Sequence, residues 1–159
     1  MKTSKPILIA VALVSLGLIG FALYLQHVEG MLPCPLCIIQ RYVFLAVAII
    51  SLLVALLPRG AIRAGASLAA LTALGGAGVA GWHLWVKANP TVSCGIDPLE
   101  TSLNKIPTAE LLPFVFKADG LCSAEYAPIL GLSIPQWSLA WFVIFAIVLF
   151  WAALRQQHR

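Results

Sequence analysis

The chain has 159 residues, of which 61% are hydrophobic and only 10% are charged. Because a water-soluble domain carries about 25% charged residues, this composition excludes an ordinary soluble domain and indicates a protein of the lipid bilayer. The net charge of +4 is not gathered into a run rich in Lys and Arg, which excludes nucleic acid as a partner.

Four apolar stretches follow one another along the chain, and each has about the 20 helical residues that cross a hydrocarbon core. Their approximate bounds are 6–25, 38–57, 64–86 and 134–154. The first follows Lys2 and Lys5 like a signal peptide. Its apolar run is longer than the roughly 7–15 residues of such a peptide, however, and no A-x-A-like cleavage site follows. We therefore predict an all-α membrane protein, a bundle of four transmembrane helices that forms a single membrane domain over residues 1–159.

The third span has a small residue at every fourth position from Gly65 to Gly81. Small residues let the backbones of two membrane helices approach each other closely. We therefore predict that this face packs against a neighbouring helix and has no chemical role.

The charged residues predict how the helices are oriented. Four spans place both termini and the turn at 58–63 on one side, and the loops at about 26–37 and 87–133 on the other. The first side carries only basic residues, namely Lys2, Lys5, Arg59, Arg63, Arg155 and Arg159, whereas the second carries all six acidic residues. Because basic residues stay in the cytoplasm, we expect cytoplasmic termini and two outer loops, which in a bacterium lie in the periplasm, where disulfides persist.

A C-x-x-C motif, Cys34-Pro35-Leu36-Cys37, stands directly before the second span. The spacing suits a reversible disulfide at a helix start, where unpaired N–H groups and the helix dipole favour a thiolate. The motif could also be half of a zinc site, but neither a second C-x-x-C nor a pair of histidines accompanies it. We predict a redox-active pair and no metal site; the alternative is a static structural disulfide.

Arg41 and His83 are ionisable residues inside apolar spans, which is expensive and indicates a functional site. Arg41 lies one helical turn after Cys37, and His83 is at nearly the same depth in the third span. Both can donate hydrogen bonds to carbonyl oxygens, so together they predict a pocket for the headgroup of a quinone. The simpler alternatives are that Arg41 extends to the lipid headgroups and that His83 is hydrated.

The other two cysteines, Cys94 and Cys122, lie in the long outer loop, far from each other in the sequence. A disulfide between them could be purely structural. The loop has five prolines and too few apolar residues for a core of its own. We therefore favour an accessible, labile disulfide, which is the catalytic kind. Within this loop, the apolar segment Thr108–Phe116 is predicted to lie in the membrane interface, or else to fold onto the helix ends.

At this point the sequence resembles the disulfide bond formation protein B (DsbB) family over almost its whole length. The matching stretches are Leu25-Gln26-His27, Pro33-Cys34-Pro35-Leu36-Cys37-Ile38, Gln40-Arg41, His83, Cys94-Gly95, Gly120-Leu121-Cys122 and Gly131-Leu132-Ser133-Ile134-Pro135-Gln136-Trp137-Ser138-Leu139. The combination is specific, although a lone C-x-x-C is not. One departure is Val86-Lys87, near the place where the family has Leu-Gln.

The resemblance implies an enzyme, a thiol:quinone oxidoreductase of the bacterial inner membrane. It implies that a reduced periplasmic partner of the thioredoxin-like DsbA type attacks a Cys94–Cys122 disulfide at Cys94. Cys122 would then react with the Cys34–Cys37 pair, and Cys37 beside Arg41 would pass the electrons to ubiquinone or menaquinone.

Two other functions are compatible with parts of this pattern. A reductase of the vitamin K epoxide type also places a C-x-x-C beside a quinoid ring, but there the motif is expected near the last spans. A membrane scaffold with two structural disulfides would have no enzymatic activity at all.

Overall fold

The computed structural model of the chain describes residues 4–89, 91–92 and 96–155. Four long helices dominate it: α1 (Lys5–His27), α2 (Pro35–Leu56), α3 (Arg59–Ala88) and α7 (Ile134–Arg155). All four are long and apolar enough to cross a membrane. The predicted all-α, four-span fold is therefore confirmed, while the orientation of the termini and loops stays a prediction.

Helices α2 and α3 begin earlier than the apolar stretches in the sequence. In α2, Pro35 occupies the first turn, where its fixed φ suits a helix and its missing N–H has no cost. Pro58 precedes α3 in an extended conformation, so the helix starts at Arg59. Proline thus sets the start of both helices.

The core of the bundle is formed chiefly by α3 against α7, by α2 against α3 and by α1 against α2. At its centre, the Phe44 and Phe142 rings stack with centroids 4.0 Å apart, and Phe145 meets Phe44 edge to face. These aromatic rings join α2 to α7 beneath the end of the bundle that carries Cys34.

The small residues of α3 allow this packing, as predicted, but at positions that depart from a strict four-residue repeat. Gly65 faces Val54 of α2, and Gly76 faces the Phe142 ring of α7. Ala69 and Ala73 are fully buried between these two points. Because an α-helix has about 3.6 residues per turn, a four-residue repeat drifts around the helix. Gly76, outside the repeat, meets Phe142, whereas a Cβ added at Gly81, inside it, would have no atom within 4 Å.

The chain between α3 and α7 forms short helical segments over the end of the bundle. They are a π-helical turn (Ile96–Glu100), α4 (Thr101–Asn104), α5 (Pro107–Leu111) and α6 (Pro113–Phe116). Phe116 is buried and stacks on Tyr42 of α2, whose hydroxyl hydrogen-bonds Thr108. The predicted interfacial segment therefore folds onto α2 on one side. Its other side exposes Leu111 and Phe114, as a segment in the membrane interface would.

Replacement of Gly76 by alanine tests the contact between α3 and α7. The new Cβ would lie 2.5 Å from the Phe142 ring, which is fully buried and has no room to move. We expect Gly76→Ala to lower the free energy of unfolding by about 1–3 kcal/mol, the usual cost of overpacking. Gly78→Ala is the matched control, because a Cβ added at that position would have no atom within 4 Å. Thermal unfolding in detergent measures both variants, and equal stabilities would contradict the described contact.

Candidate functional site

Cys34 and Cys37 lie at the start of α2, where the sequence predicted a redox-active pair. Cys34 caps the helix, and its sulfur accepts a hydrogen bond from the Cys37 N–H at 3.3 Å. Both cysteines are free and their sulfurs are 2.7 Å apart, a separation from which a disulfide forms with little movement. The cap holds both sulfurs at the end of the helix dipole, which favours negative charge.

The two sulfurs differ in their surroundings. Cys34 is buried, whereas Cys37 is partly exposed. The hydrogen bond with the Cys37 sulfur, together with burial, raises the pKa of the Cys34 thiol well above its ordinary value. The two thiols of the motif are therefore not equivalent.

His83 reaches this pair from α3, with both ring nitrogens in contact with protein groups. Its Nε2 lies 3.7 Å from Cys34 Sγ and 3.4 Å from the carbonyl oxygen of Cys122. Its Nδ1 lies 3.2 Å from the side-chain nitrogen of Gln40. Because a carbonyl only accepts, we assign the proton to Nε2, and Gln40 then donates to Nδ1. His83 thus joins the C-x-x-C motif to the segment that carries Cys122.

Backbone contacts hold that segment against the motif. The N–H groups of Asp119 and Gly120 both donate to the Pro33 carbonyl, at 3.1 and 3.0 Å. A side chain at Gly120 would overlap the Leu32 carbonyl, so only glycine allows this approach. Cys122, two residues further on, is buried and disulfide-bonded. Cys94 lies outside the described residues, so its predicted pairing with Cys122 stays a prediction.

Arg41 is buried one helical turn below Cys37, and its hydrogen-bond acceptors are groups of the protein itself. Its guanidinium donates to the Gln26 side chain at 2.7 Å and to the Val115 carbonyl at 2.6 Å. A longer contact of 3.4 Å reaches the Ala22 carbonyl. Arg41 therefore ties α2 to the end of α1 and to the loop helix α6.

Arg41 and His83, which the sequence placed at one depth, line the same cavity of about 310 Å³. Cys37 and Gln40 also line it, and most of the remaining wall is apolar. Apolar side chains of α1, the loops and α7 complete it, among them Leu18, Phe21, Leu25, Pro135, Trp137 and Trp141. A mostly apolar cavity with a few converging polar groups is typical of a site for a small ligand.

Two polar residues of this site, Gln26 and Gln40, were not among the predicted site residues. Both lie in apolar helices, where a polar side chain is expensive unless it has a partner. The sequence thus offered two indications that Gln26 and Gln40 belong to the site. One is the cost of a polar side chain in an apolar helix, and the other is their position within the stretches that resemble the family. Their partners, Arg41 and His83, could not be assigned without the side-chain positions.

The four helices and the site around Cys34 and Cys37 define a class: a multi-pass membrane protein with a pair of cysteines at one end of a four-helix bundle. Comparison with known proteins is consistent with that class. The family model described as "Disulfide bond formation protein DsbB" matches residues 4–152. A protein named Disulfide bond formation protein B from Herminiimonas arsenicoxydans is 65% identical over 157 residues, covering 99% of both chains.

More distant relatives carry the same name. One from Ralstonia nicotianae is 48% identical over 98% of both chains. Disulfide bond formation protein B 1 from Pseudomonas putida is 44% identical over 93% of this chain and 89% of its own. The chain belongs to the DsbB family of disulfide bond formation proteins.

Proposed function

We propose that this protein is a thiol:quinone oxidoreductase of the bacterial inner membrane. It would reoxidise a periplasmic dithiol oxidase of the DsbA type and pass the electrons through two cysteine pairs to ubiquinone or menaquinone. The observation that carries the proposal is the Cys34–Cys37 dithiol, because Cys37 opens onto the cavity lined by Arg41 and His83. The basic residues near the termini and the 58–63 turn support a periplasmic location for this end of the bundle.

Electrons would enter at the disulfide of Cys122, for which we propose Cys94 as the partner. A thiolate of the reduced partner protein attacks Cys94, forms a mixed disulfide and releases Cys122 as a thiolate. The partner's second thiolate then resolves the mixed disulfide, which leaves the partner oxidised and Cys94 and Cys122 reduced. Two electrons have thus moved from the partner to the loop.

Transfer between the pairs would take place where His83 holds the Cys122 segment beside Cys34. The Cys122 carbonyl and Cys34 Sγ both contact the same ring nitrogen, so only a local movement is needed to bring the two sulfurs together. A Cys122 thiolate attacks an oxidised Cys34–Cys37 pair at Cys34 and releases Cys37. Attack by Cys94 on this new bond restores the loop disulfide and leaves Cys34 and Cys37 as the dithiol.

The residues of the cavity fit a quinone, which when bound accepts two electrons and two protons. A guanidinium has five N–H donors, and three acceptors among the described residues receive hydrogen bonds from Arg41. Arg41 therefore keeps donors for a quinone carbonyl. His83 lines the same cavity and is our second candidate, but its Nε2 would have to leave the Cys122 carbonyl to donate.

The rival functions receive less support. A scaffold with two static disulfides would leave the cavity that Cys37, Arg41 and His83 line without a role. A reductase of the vitamin K epoxide type does not fit membership of a disulfide bond formation family.

Trapping of the mixed disulfide with the partner protein tests whether electrons enter at Cys94. In Cys122→Ala, Cys94 has no disulfide partner of its own, so its free thiolate attacks the disulfide of an oxidised partner protein, forms the mixed disulfide at Cys94 and releases the partner's second thiolate. The Cys122 thiolate, which would displace the partner protein in the unaltered chain, is absent. We expect a covalent adduct with a soluble periplasmic protein on non-reducing gels, lost on reduction. The control, with Cys94→Ala added, should form none. If Cys122→Ala gives no adduct in cells with normal periplasmic export, the proposed entry point is wrong.

Arg41→Ala tests the quinone site. A hydrogen bond from a charged group contributes about 1.5–3 kcal/mol, and about 1.4 kcal/mol corresponds to a tenfold change in affinity. We therefore expect the apparent KM for quinone to rise about tenfold or more, with thiol exchange at Cys94 unchanged.

The control for this experiment separates quinone binding from anchoring of the loop. Tyr42→Phe removes the hydrogen bond to Thr108 and so loosens the same loop without removing the cation. Its KM for quinone should stay near that of the unaltered protein. An unchanged KM in Arg41→Ala, or an equal rise in both variants, would remove Arg41 from the quinone site.

A further inference from the structure

Three atoms that can ligate a metal ion converge at the end of the bundle: Cys34 Sγ, Cys37 Sγ and His83 Nε2. All lie within 4.8 Å of one another. The sequence predicted no metal site, because the C-x-x-C motif had no further ligands near it. The fold supplies the third donor from α3, 46 residues after Cys37. We propose that the reduced protein binds a thiophilic divalent cation of the Zn²⁺ class at these three atoms.

The distances suit such an ion after one small adjustment. Zinc binds sulfur at about 2.3 Å and imidazole nitrogen at about 2.0–2.1 Å, so tetrahedral ligands lie roughly 3.5–3.8 Å apart. The distance from Cys34 Sγ to His83 Nε2 is already 3.7 Å. The two sulfurs, at 2.7 Å, must separate further. Rotation of the partly exposed Cys37 side chain toward the cavity provides that movement.

The charges also favour a divalent ion. Both thiols lose their protons on binding, and the two thiolates neutralise the charge of the ion. The guanidinium of Arg41, one turn below Cys37, keeps its own acceptors in the Gln26 side chain and the Val115 carbonyl. No electron is transferred in this step.

Gln40 is placed to hold the histidine for this role. Ligation through Nε2 requires the ring proton to move to Nδ1, which then needs an acceptor. The Gln40 amide, now 3.2 Å from Nδ1, offers its oxygen when it turns over. Metal-binding histidines nearly always donate their second N–H to such a group, and loss of that group lowers metal affinity about 10–100-fold.

The site would exist only in the dithiol state, because a disulfide has no thiolate to offer. A bound ion would occupy both sulfurs and withhold them from thiol exchange. The three donor atoms are close together whichever electron acceptor the protein uses.

Titration with Cd²⁺, followed by its ultraviolet thiolate absorption and by calorimetry, tests the proposal. The parent carries Cys94→Ser and Cys122→Ser, which leaves the Cys122 carbonyl in place and restricts binding to Cys34 and Cys37. We expect the reduced parent to bind one Cd²⁺ per chain and the oxidised parent to bind none. His83→Ala should weaken binding at least tenfold, and Gln40→Ala about 10–100-fold. The matched control His27→Ala, whose ring contacts the Phe114 carbonyl instead, should bind like the parent.

Cadmium NMR of the parent with ¹⁵N-labelled histidine keeps the test valid if His83→Ala does not fold. A cadmium–nitrogen coupling that persists in His27→Ala supports ligation by His83. Absence of that coupling, equal affinity in His83→Ala, or equal binding to the oxidised protein would each overturn the three-donor site.

Discussion

The contact of the His83 ring with Cys34 Sγ and the Cys122 carbonyl is the interaction on which the rest of the site depends. One nitrogen, carried by a transmembrane helix, touches both the C-x-x-C motif and the loop segment that carries Cys122. The hydrogen bond from Gln40 to Nδ1 fixes the ring so that this nitrogen points at them. Cys34 and Cys122, which are distant in the sequence, are thereby connected through one side chain.

The surrounding structure follows from the need to satisfy polar groups in an apolar setting. Arg41 is stable one turn inside α2 because Gln26 of α1 and the Val115 carbonyl of α6 accept its hydrogen bonds. The same bonds hold the loop helices over the end of the bundle. On the other side, Gly120 lets the loop backbone lie directly on the chain before Cys34. Burial of the dithiol and the shape of the cavity therefore arise from the same few contacts.

Much of this could be predicted from the sequence because the information is local. Apolar stretches of spanning length indicated the four helices, and the C-x-x-C motif before the second span placed Cys34 and Cys37 at a helix start. Arg41 and His83 stood out because ionisable residues are rare in apolar spans, and the structure does bring them to one cavity.

The remaining features depend on contacts between distant parts of the chain. Nothing local indicates that His83 meets a cysteine sulfur, that Gln40 holds its ring, or that Gly76, outside the four-residue repeat, faces Phe142. These follow from the rotation of each helix about its axis, which packing against neighbours determines. The donor geometry of Cys34, Cys37 and His83 escaped prediction for the same reason.

We propose that the Cys34–Cys37 dithiol passes its electrons to a quinone in the adjoining cavity. The most direct test mixes the reduced, purified protein with a soluble ubiquinone or menaquinone analogue under anaerobic conditions. Quinol is measured by absorbance, and thiols are located by alkylation and mass spectrometry. We expect one quinol for each Cys34–Cys37 pair oxidised, and no quinol when Cys34→Ser and Cys37→Ser are combined. Quinol formation that continues in that double variant, or a dithiol that stays reduced with quinone in excess, would contradict it.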